Sequence, residues 1–140
     1  MLIFVFPVAY FPVVEKIQES MMAKELKEIA DYVANTFENL FILSRNASNT
    51  LLKKELKIPQ KIKDSFYVIE IAVKSADGSV SGTRAYISDK SYICVDSWLV
   101  GGLKVGGLRV VHSSHVGVIY ACCRRLSSGD VFVFFTLDSV

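Results

Sequence analysis

The side chains with the greatest potential for chemistry lie in the second half of the chain. They are Cys94, Cys122, Cys123, His112, His115 and Asp96. Together they could supply a zinc site, or a thiol nucleophile with a histidine base. However, H-x-x-H followed by an adjacent cysteine pair matches no structural zinc spacing. Adjacent cysteines on a strand also point to opposite faces, so at most one could face a given metal. We therefore expect no metal site, no catalytic residue and no cofactor.

The sequence also lacks the common motifs of catalysis and nucleotide binding. It contains no G-x-S-x-G, no H-E-x-x-H and no P-loop. The glycine pairs at 101–102 and 106–107 do not open a helix after a strand, as a phosphate loop requires. The net charge is only +2, and the lysines between Lys53 and Lys63 have no aromatic residues interleaved as a stacking platform. These features favour a protein that is not an enzyme and has no nucleic-acid partner.

Length and composition favour one folded domain. The chain has 140 residues, of which 51% are hydrophobic and 21% are charged, enough for one core and too apolar for intrinsic disorder. Three cysteines are too few for the disulfide framework of a small secreted domain. A single bridge from Cys94 to Cys122 or Cys123 remains possible, with buried thiols as the alternative.

The first 14 residues carry no charged side chain. A membrane-spanning helix needs about 20 apolar residues, and a secretory signal needs a positive first region that is missing here. Pro7 and Pro12 should interrupt helical hydrogen bonding. Three interpretations follow: the end of a longer membrane helix that begins upstream, a plug packed against partner subunits, or a buried first strand. An exposed stretch of this kind promotes aggregation, so we expect it to be covered.

The spacing of apolar residues predicts a long amphipathic helix from Val13 to Ser44. The apolar positions recur mostly at intervals of three and four: Val14, Ile17, Met21, Met22, Leu26, Ile29, Val33, Phe37, Leu40 and Phe41. Such a helix is about 48 Å long, whereas a compact chain of this size has a diameter of about 37 Å. We therefore expect the helix to extend past its own domain. The alternative is a helix that breaks near Glu19 or Ser20 and folds back.

After residue 48 the spacing of apolar residues changes from one typical of a helix to one typical of extended strands, and turn residues are frequent. Asp77-Gly78 predicts a hairpin between strands at Phe66–Lys74 and Val80–Ser88. Further strands are predicted at Tyr92–Val100, Leu103–Val105, Leu108–His112, Val116–Cys123 and Val131–Leu137. The predicted fold class is α+β, with a long N-terminal amphipathic helix and an antiparallel β-sandwich or small β-barrel of about six or seven strands. Its parts are an apolar anchor at 1–14, the helix at 15–48 and a β domain at 49–140.

The order of these parts resembles the archaeal type IV pilin-like and archaellin-like proteins. ELKEIADYVANTFENLFILSRN followed by LLKKELKIPQKIKDSFYVIEI is similar to that family's helix end, short apolar segment, Pro before Ile, and Tyr-containing strand. The matching positions are Leu56, Ile58, Pro59, Ile62, Tyr67 and Ile69. The ending SGDVFVFFTL resembles the family's last glycine turn and final strand.

The resemblance implies a cell-surface or membrane-anchored extracytoplasmic subunit of a filament, with the β domain outward. Its partners would be copies of itself or related pilin-like subunits, and the membrane through the N-terminus. The residues expected to anchor and assemble it are Leu2, Ile3, Phe4, Val5, Phe6, Val14, Ile17, Met21, Leu26, Ile29 and Val33. Asn46 begins an N-x-S sequon and becomes a glycan acceptor if the chain is extracytoplasmic.

The alternative function is a self-contained soluble β module that binds a small ligand or a protein partner, with the long helix packed across its sheet. The two hypotheses differ in what residues 1–14 do. In the pilin-like protein they can be removed without unfolding the β domain, and in the soluble module they belong to the core.

Overall fold

The computed structural model describes residues 2–45, 51–74 and 78–139, with the helix side chains described from residue 16 onward. In these ranges the fold is α+β, with one N-terminal helix followed by eight strands in two sheets. The elements are α1 (Leu2–Ser44), β1 (Leu51–Glu55), β2 (Tyr67–Val73), β3 (Val80–Ile87), β4 (Lys90–Trp98), β5 (Leu103–Val105), β6 (Val110–His112), β7 (Gly117–Arg125) and β8 (Val131–Ser139).

Helix α1 is continuous and begins earlier than the sequence predicted. It starts at Leu2 instead of Val13, runs through both prolines and ends at Ser44, the expected last residue. A proline removes one backbone N–H from the helix, but the turns on either side keep their own hydrogen bonds. The alternative of a break near Glu19 or Ser20 is wrong. Between Val13 and Ser44 the chain has no glycine or proline, so nothing near Glu19 or Ser20 favours a break.

One side of α1 is buried by the strands, but apolar residues are not confined to that side. The buried apolar residues of the helix are Met22, Leu26, Ile29, Ala30, Val33, Ala34, Phe37 and Leu40. At about 100° per residue these positions share one side of the helix. Ile17, Met21, Ile42 and Leu43 are nevertheless exposed. The helix is therefore not clearly amphipathic, in contrast to the prediction.

The strands form two four-stranded sheets. In the first sheet the order is β1-β7-β8-β5, and in the second it is β4-β3-β2-β6. The predicted hairpin is confirmed, with β2 and β3 paired antiparallel from Tyr67↔Ile87 onward, although residues 75–77 of its turn lie outside the described residues. The prediction of a purely antiparallel domain is wrong for β5, which pairs parallel to β8 at Leu103↔Val131.

The β domain is not closed into a barrel, and it has eight strands where six or seven were predicted. In the described residues the two sheets are joined by two isolated bridges, Ser79↔Lys104 and Leu108↔Phe135, and not by a continuous ladder. Helix α1 packs against β3 and β4 of the second sheet and against β1 and β7 of the first. Because the helix occupies the inner side of both sheets, their edge strands do not meet to close a barrel.

The core lies between α1 and the two sheets. The rings of Phe37 in the helix and Phe135 in β8 pack with centroids 5.4 Å apart. The buried Thr83 hydroxyl of β3 donates to the carbonyl of Ala30, 3.0 Å away. A buried hydroxyl needs such a partner, so this bond fixes the helix at one position along the second sheet.

Candidate assembly surface on helix α1

Polar contacts attach the middle of α1 to the edge strand β4. The Lys27 ammonium group donates to the backbone carbonyl of Asp96 at 2.5 Å and pairs with the Asp31 carboxylate at 3.2 Å. The Ser97 hydroxyl donates to Asp31 at 2.7 Å. A lysine that binds an edge carbonyl also blocks that edge from pairing with another strand. These contacts therefore orient the helix and protect the sheet edge.

The contacts with the β domain thin out towards the helix N-terminus. The Tyr92 hydroxyl of β4 donates to the Glu19 carboxylate at 2.9 Å. Among the described side chains, burial in the helix begins only at Met22. Ile17 and Met21, one helical turn apart, are 53% and 44% exposed. We call this pair the exposed apolar turn.

The length of α1 is large relative to the domain. Its 43 residues correspond to about 65 Å at 1.5 Å per residue. A compact globule of this chain length is about 37 Å across. A continuous helix of this length extends past the strands that bury its C-terminal half.

The structure separates the predicted assembly residues into three groups. Leu26, Ile29 and Val33 are buried in the protein's own core and form a seam between helix and sheets. Ile17 and Met21 are exposed. The remaining residues belong to the helical backbone of α1, but their side chains are not among those described: Leu2, Ile3, Phe4, Val5, Phe6 and Val14. The predicted glycan acceptor Asn46 lies outside the described residues.

The cysteines do not form the bridge that remained possible from the sequence. Cys94 lies in β4 of the second sheet, Cys122 and Cys123 lie in β7 of the first, and all three thiols are free. Burial raises the pKa of each thiol above its ordinary value. A thiol with a raised pKa is a weak nucleophile at neutral pH. Cys122 and Cys123 are buried and pack in the interior, whereas Cys94 is exposed.

The two histidines lie on either side of the turn that follows β6, and both make hydrogen bonds to the backbone. The backbone N–H of Ser114 donates to Nδ1 of His112 at 3.1 Å, and Nε2 of His115 donates to the carbonyl of Asp138 at 3.1 Å. Ser113 and Ser114 form this turn. Within the described residues, no group of three or more His, Cys, Asp or Glu side chains is placed to hold a metal ion.

One exposed side chain was missed at the level of sequence. Trp98, the last residue of β4, is 79% exposed and lies beside Arg84 and Asp96. The alternation of side chains along β4 could have predicted this exposure, because Trp98 points to the same face of the sheet as the exposed Cys94 and Asp96. An indole that shares a parity with exposed polar residues is predicted to face solvent.

In the described part of α1, no stretch is both long and apolar enough to cross a membrane. Comparisons with protein-family models, with curated proteins and with solved structures gave no match. The functional argument therefore depends on the geometry of the chain itself.

Proposed function

We propose that this protein is a non-enzymatic, pilin-like subunit of a cell-surface or filament-associated assembly. The N-terminal part of α1 joins neighbouring subunits or enters the membrane, and the two sheets, as layers of a sandwich-like domain, face outward. The observation that carries the proposal is the exposed apolar turn of Ile17 and Met21, which lies N-terminal to the buried half of the helix.

An apolar surface of this kind needs a cover. The helix cannot fold back onto its own sheets, because it is continuous from Leu2 to Ser44 and its C-terminal half already fills their inner side. The sequence preceding the exposed apolar turn is uncharged from residue 1 to residue 14. Other copies of the helix, related subunits, or lipid can bury such a surface.

Charge along the helix is compatible with packing against other copies. Between Glu15 and Glu28 acidic and basic residues alternate in sign along the chain. Two such helices can therefore pair opposite charges around an apolar contact when they are offset along their axes.

The test is sedimentation of the full chain, with and without detergent, beside a variant that carries Ile17→Glu and Met21→Glu. We expect the full chain to associate, or to need detergent, and the variant to shift towards monomer. The matched control is Ile42→Glu with Leu43→Glu, which places the same charges at exposed apolar positions at the other end of α1. This control should sediment like the unmodified chain.

A chain that starts at Glu15 gives a second measurement. We expect a monomer whose circular dichroism still shows the folded β domain. If the full chain, the shortened chain and the double variant all sediment as the same small species without detergent, the assembly proposal is wrong. The soluble binding module then becomes the better hypothesis.

A further inference from the structure

The outward face of the second sheet carries an unusual combination of side chains around Trp98. Along β4, Ile93 and Ser97 are buried, whereas Cys94, Asp96 and Trp98 are exposed. Trp98 is 79% exposed although it belongs to a paired strand. An indole held on a regular strand is a rigid, flat apolar surface in contact with water.

The residues beside Trp98 leave its ring accessible. Gly82 of β3 is its cross-strand partner, and Ala72 of β2 is the partner of Gly82. Two small residues in this row leave a groove of about 450 Å³ on one side of the indole. A second groove of about 290 Å³, with Val80 and Leu99 in its wall, adjoins Trp98.

The next row of the same face is polar, and its charged side chains pair with one another. Arg84 of β3 is opposite Asp96 of β4, and its Nε lies 2.9 Å from the Asp96 carboxylate. Nη1 of Arg84 lies 3.7 Å from the carboxylate of Glu70 on β2. A guanidinium group has five N–H donors and a carboxylate has several acceptor sites, so this row can donate and accept further hydrogen bonds. Lys27 adds an ammonium group in the wall of the larger groove.

This arrangement fits a ligand with an apolar ring face and a polar edge. A pyranose sugar has axial C–H groups on one face and hydroxyl groups around its rim. Its C–H face can lie on the indole while its hydroxyls bind Asp96 and Arg84. Arg84 and Lys27 balance the carboxylates of Asp96 and Glu70, so this face has no excess of positive charge to attract a polyanion such as a nucleic acid. The geometry points to a carbohydrate-binding site, in which Trp98 stacks on a sugar ring and the Arg84–Asp96 pair binds its hydroxyls. Because two grooves adjoin the indole, the ligand is an oligosaccharide longer than one ring.

The fluorescence of Trp98 can report binding at this site, because Trp98 is the only tryptophan in the chain. We would titrate the full-length Ile17→Glu/Met21→Glu variant with maltohexaose, cellohexaose and chitohexaose, and with sorbitol as a polyol that has no ring. The expected result is a blue shift of the indole emission with at least one hexasaccharide at micromolar to millimolar concentration, and none with sorbitol. Using this variant keeps the outcome independent of self-association.

Substitutions then assign the binding to this face, with affinity measured by calorimetry. Trp98→Ala should lower the affinity about tenfold or more, Trp98→Phe should restore part of it, and Arg84→Lys should weaken it, because a lysine cannot reproduce the guanidinium fork. Tyr92→Ala is the matched control, since Tyr92 is an exposed aromatic residue of the same strand away from both grooves. It should bind like the parent.

Three results would overturn the inference. The first is an indole emission that no oligosaccharide changes. The second is binding that persists unaltered in Trp98→Ala. The third is an emission that changes only with protein concentration, which would assign Trp98 to a contact between copies of the chain.

Discussion

Tyr67 is a buried residue of β2 that links its strand to the segment before it and to the turn after β6. Its hydroxyl donates to the carbonyl of Pro59, and its backbone N–H donates to the Ser113 hydroxyl at 2.9 Å. The residue is fully buried, and burial raises the pKa of its phenol well above the ordinary value of 10.0. The neutral phenol therefore holds the segment before β2 in place, while the backbone of Tyr67 holds the turn after β6.

We predict that Tyr67→Phe lowers the free energy of unfolding by about 1 kcal/mol at neutral pH, because the Pro59 carbonyl loses its donor. In the unmodified chain the contribution of the neutral phenol is fully present below about pH 10 and is lost as pH rises towards the raised folded-state pKa. The advantage over Tyr67→Phe should therefore shrink with alkalinity.

Urea unfolding of both proteins at about pH 8 and about pH 11 measures this change. Tyr86→Phe is the control, because Tyr86 is half-buried in β3 and its hydroxyl makes no hydrogen bond among the described residues, so this substitution should leave stability nearly unchanged at both values. An advantage of Tyr67 that stays constant between the two values would contradict the prediction.

At the scale of elements, the close approach of β3 and β4 depends on a glycine. A Cβ atom built on Gly82 would lie 2.0 Å from the carbonyl oxygen of Ser97, which is backbone and cannot rotate away. The two strands pair through this region, with Gly82 opposite Trp98 and Thr83 opposite Ser97. The same strands carry the hydrogen bonds to α1, so their spacing also sets the position of the helix.

Gly82→Ala should destabilise the fold by about 2–3 kcal/mol, because the strands must separate to admit the methyl group. Gly101→Ala is a matched control, since a Cβ atom there meets nothing within 4 Å. Thermal unfolding followed by circular dichroism compares the two variants. Equal melting temperatures would show that the β3–β4 contact is looser than the structure indicates.

At the scale of the whole molecule, one helix has two different environments. Its C-terminal half is part of the core of the β domain, whereas the exposed apolar turn stands outside that core. In the proposed assembly the N-terminal half gains its partners from other chains. Folding of the domain and association of the chains are then coupled.

This coupling predicts a melting temperature that rises with protein concentration. The rise should be absent in the Ile17→Glu/Met21→Glu variant and retained in Ile42→Glu/Leu43→Glu, because only the first pair removes the contact between chains. Scanning calorimetry over a hundredfold range of concentration gives the comparison. A melting temperature independent of concentration in the unmodified chain would count against assembly through α1.

The sequence by itself determined the local elements. A period of three to four predicted the helix and its end at Ser44, and turn residues predicted the β2–β3 hairpin and the stub of β5. These features depend on neighbours within a few residues, and a single sequence contains that information. The predicted start of α1 at Val13 was wrong. Pro7 and Pro12 suggested that no helix precedes Val13, but the turns on either side of each proline keep their own hydrogen bonds and the helix begins at Leu2.

The tertiary structure alone decided which strands meet. It placed Cys94 and Cys122 in different sheets, paired β5 parallel to β8, and brought Arg84, Asp96 and Trp98 together on one face. Strand pairing joins residues far apart in the chain, and its choice depends on how the sheets pack around the helix. The exposed apolar turn depends on the same packing, because the strands bury α1 only from Met22 onward among the described side chains.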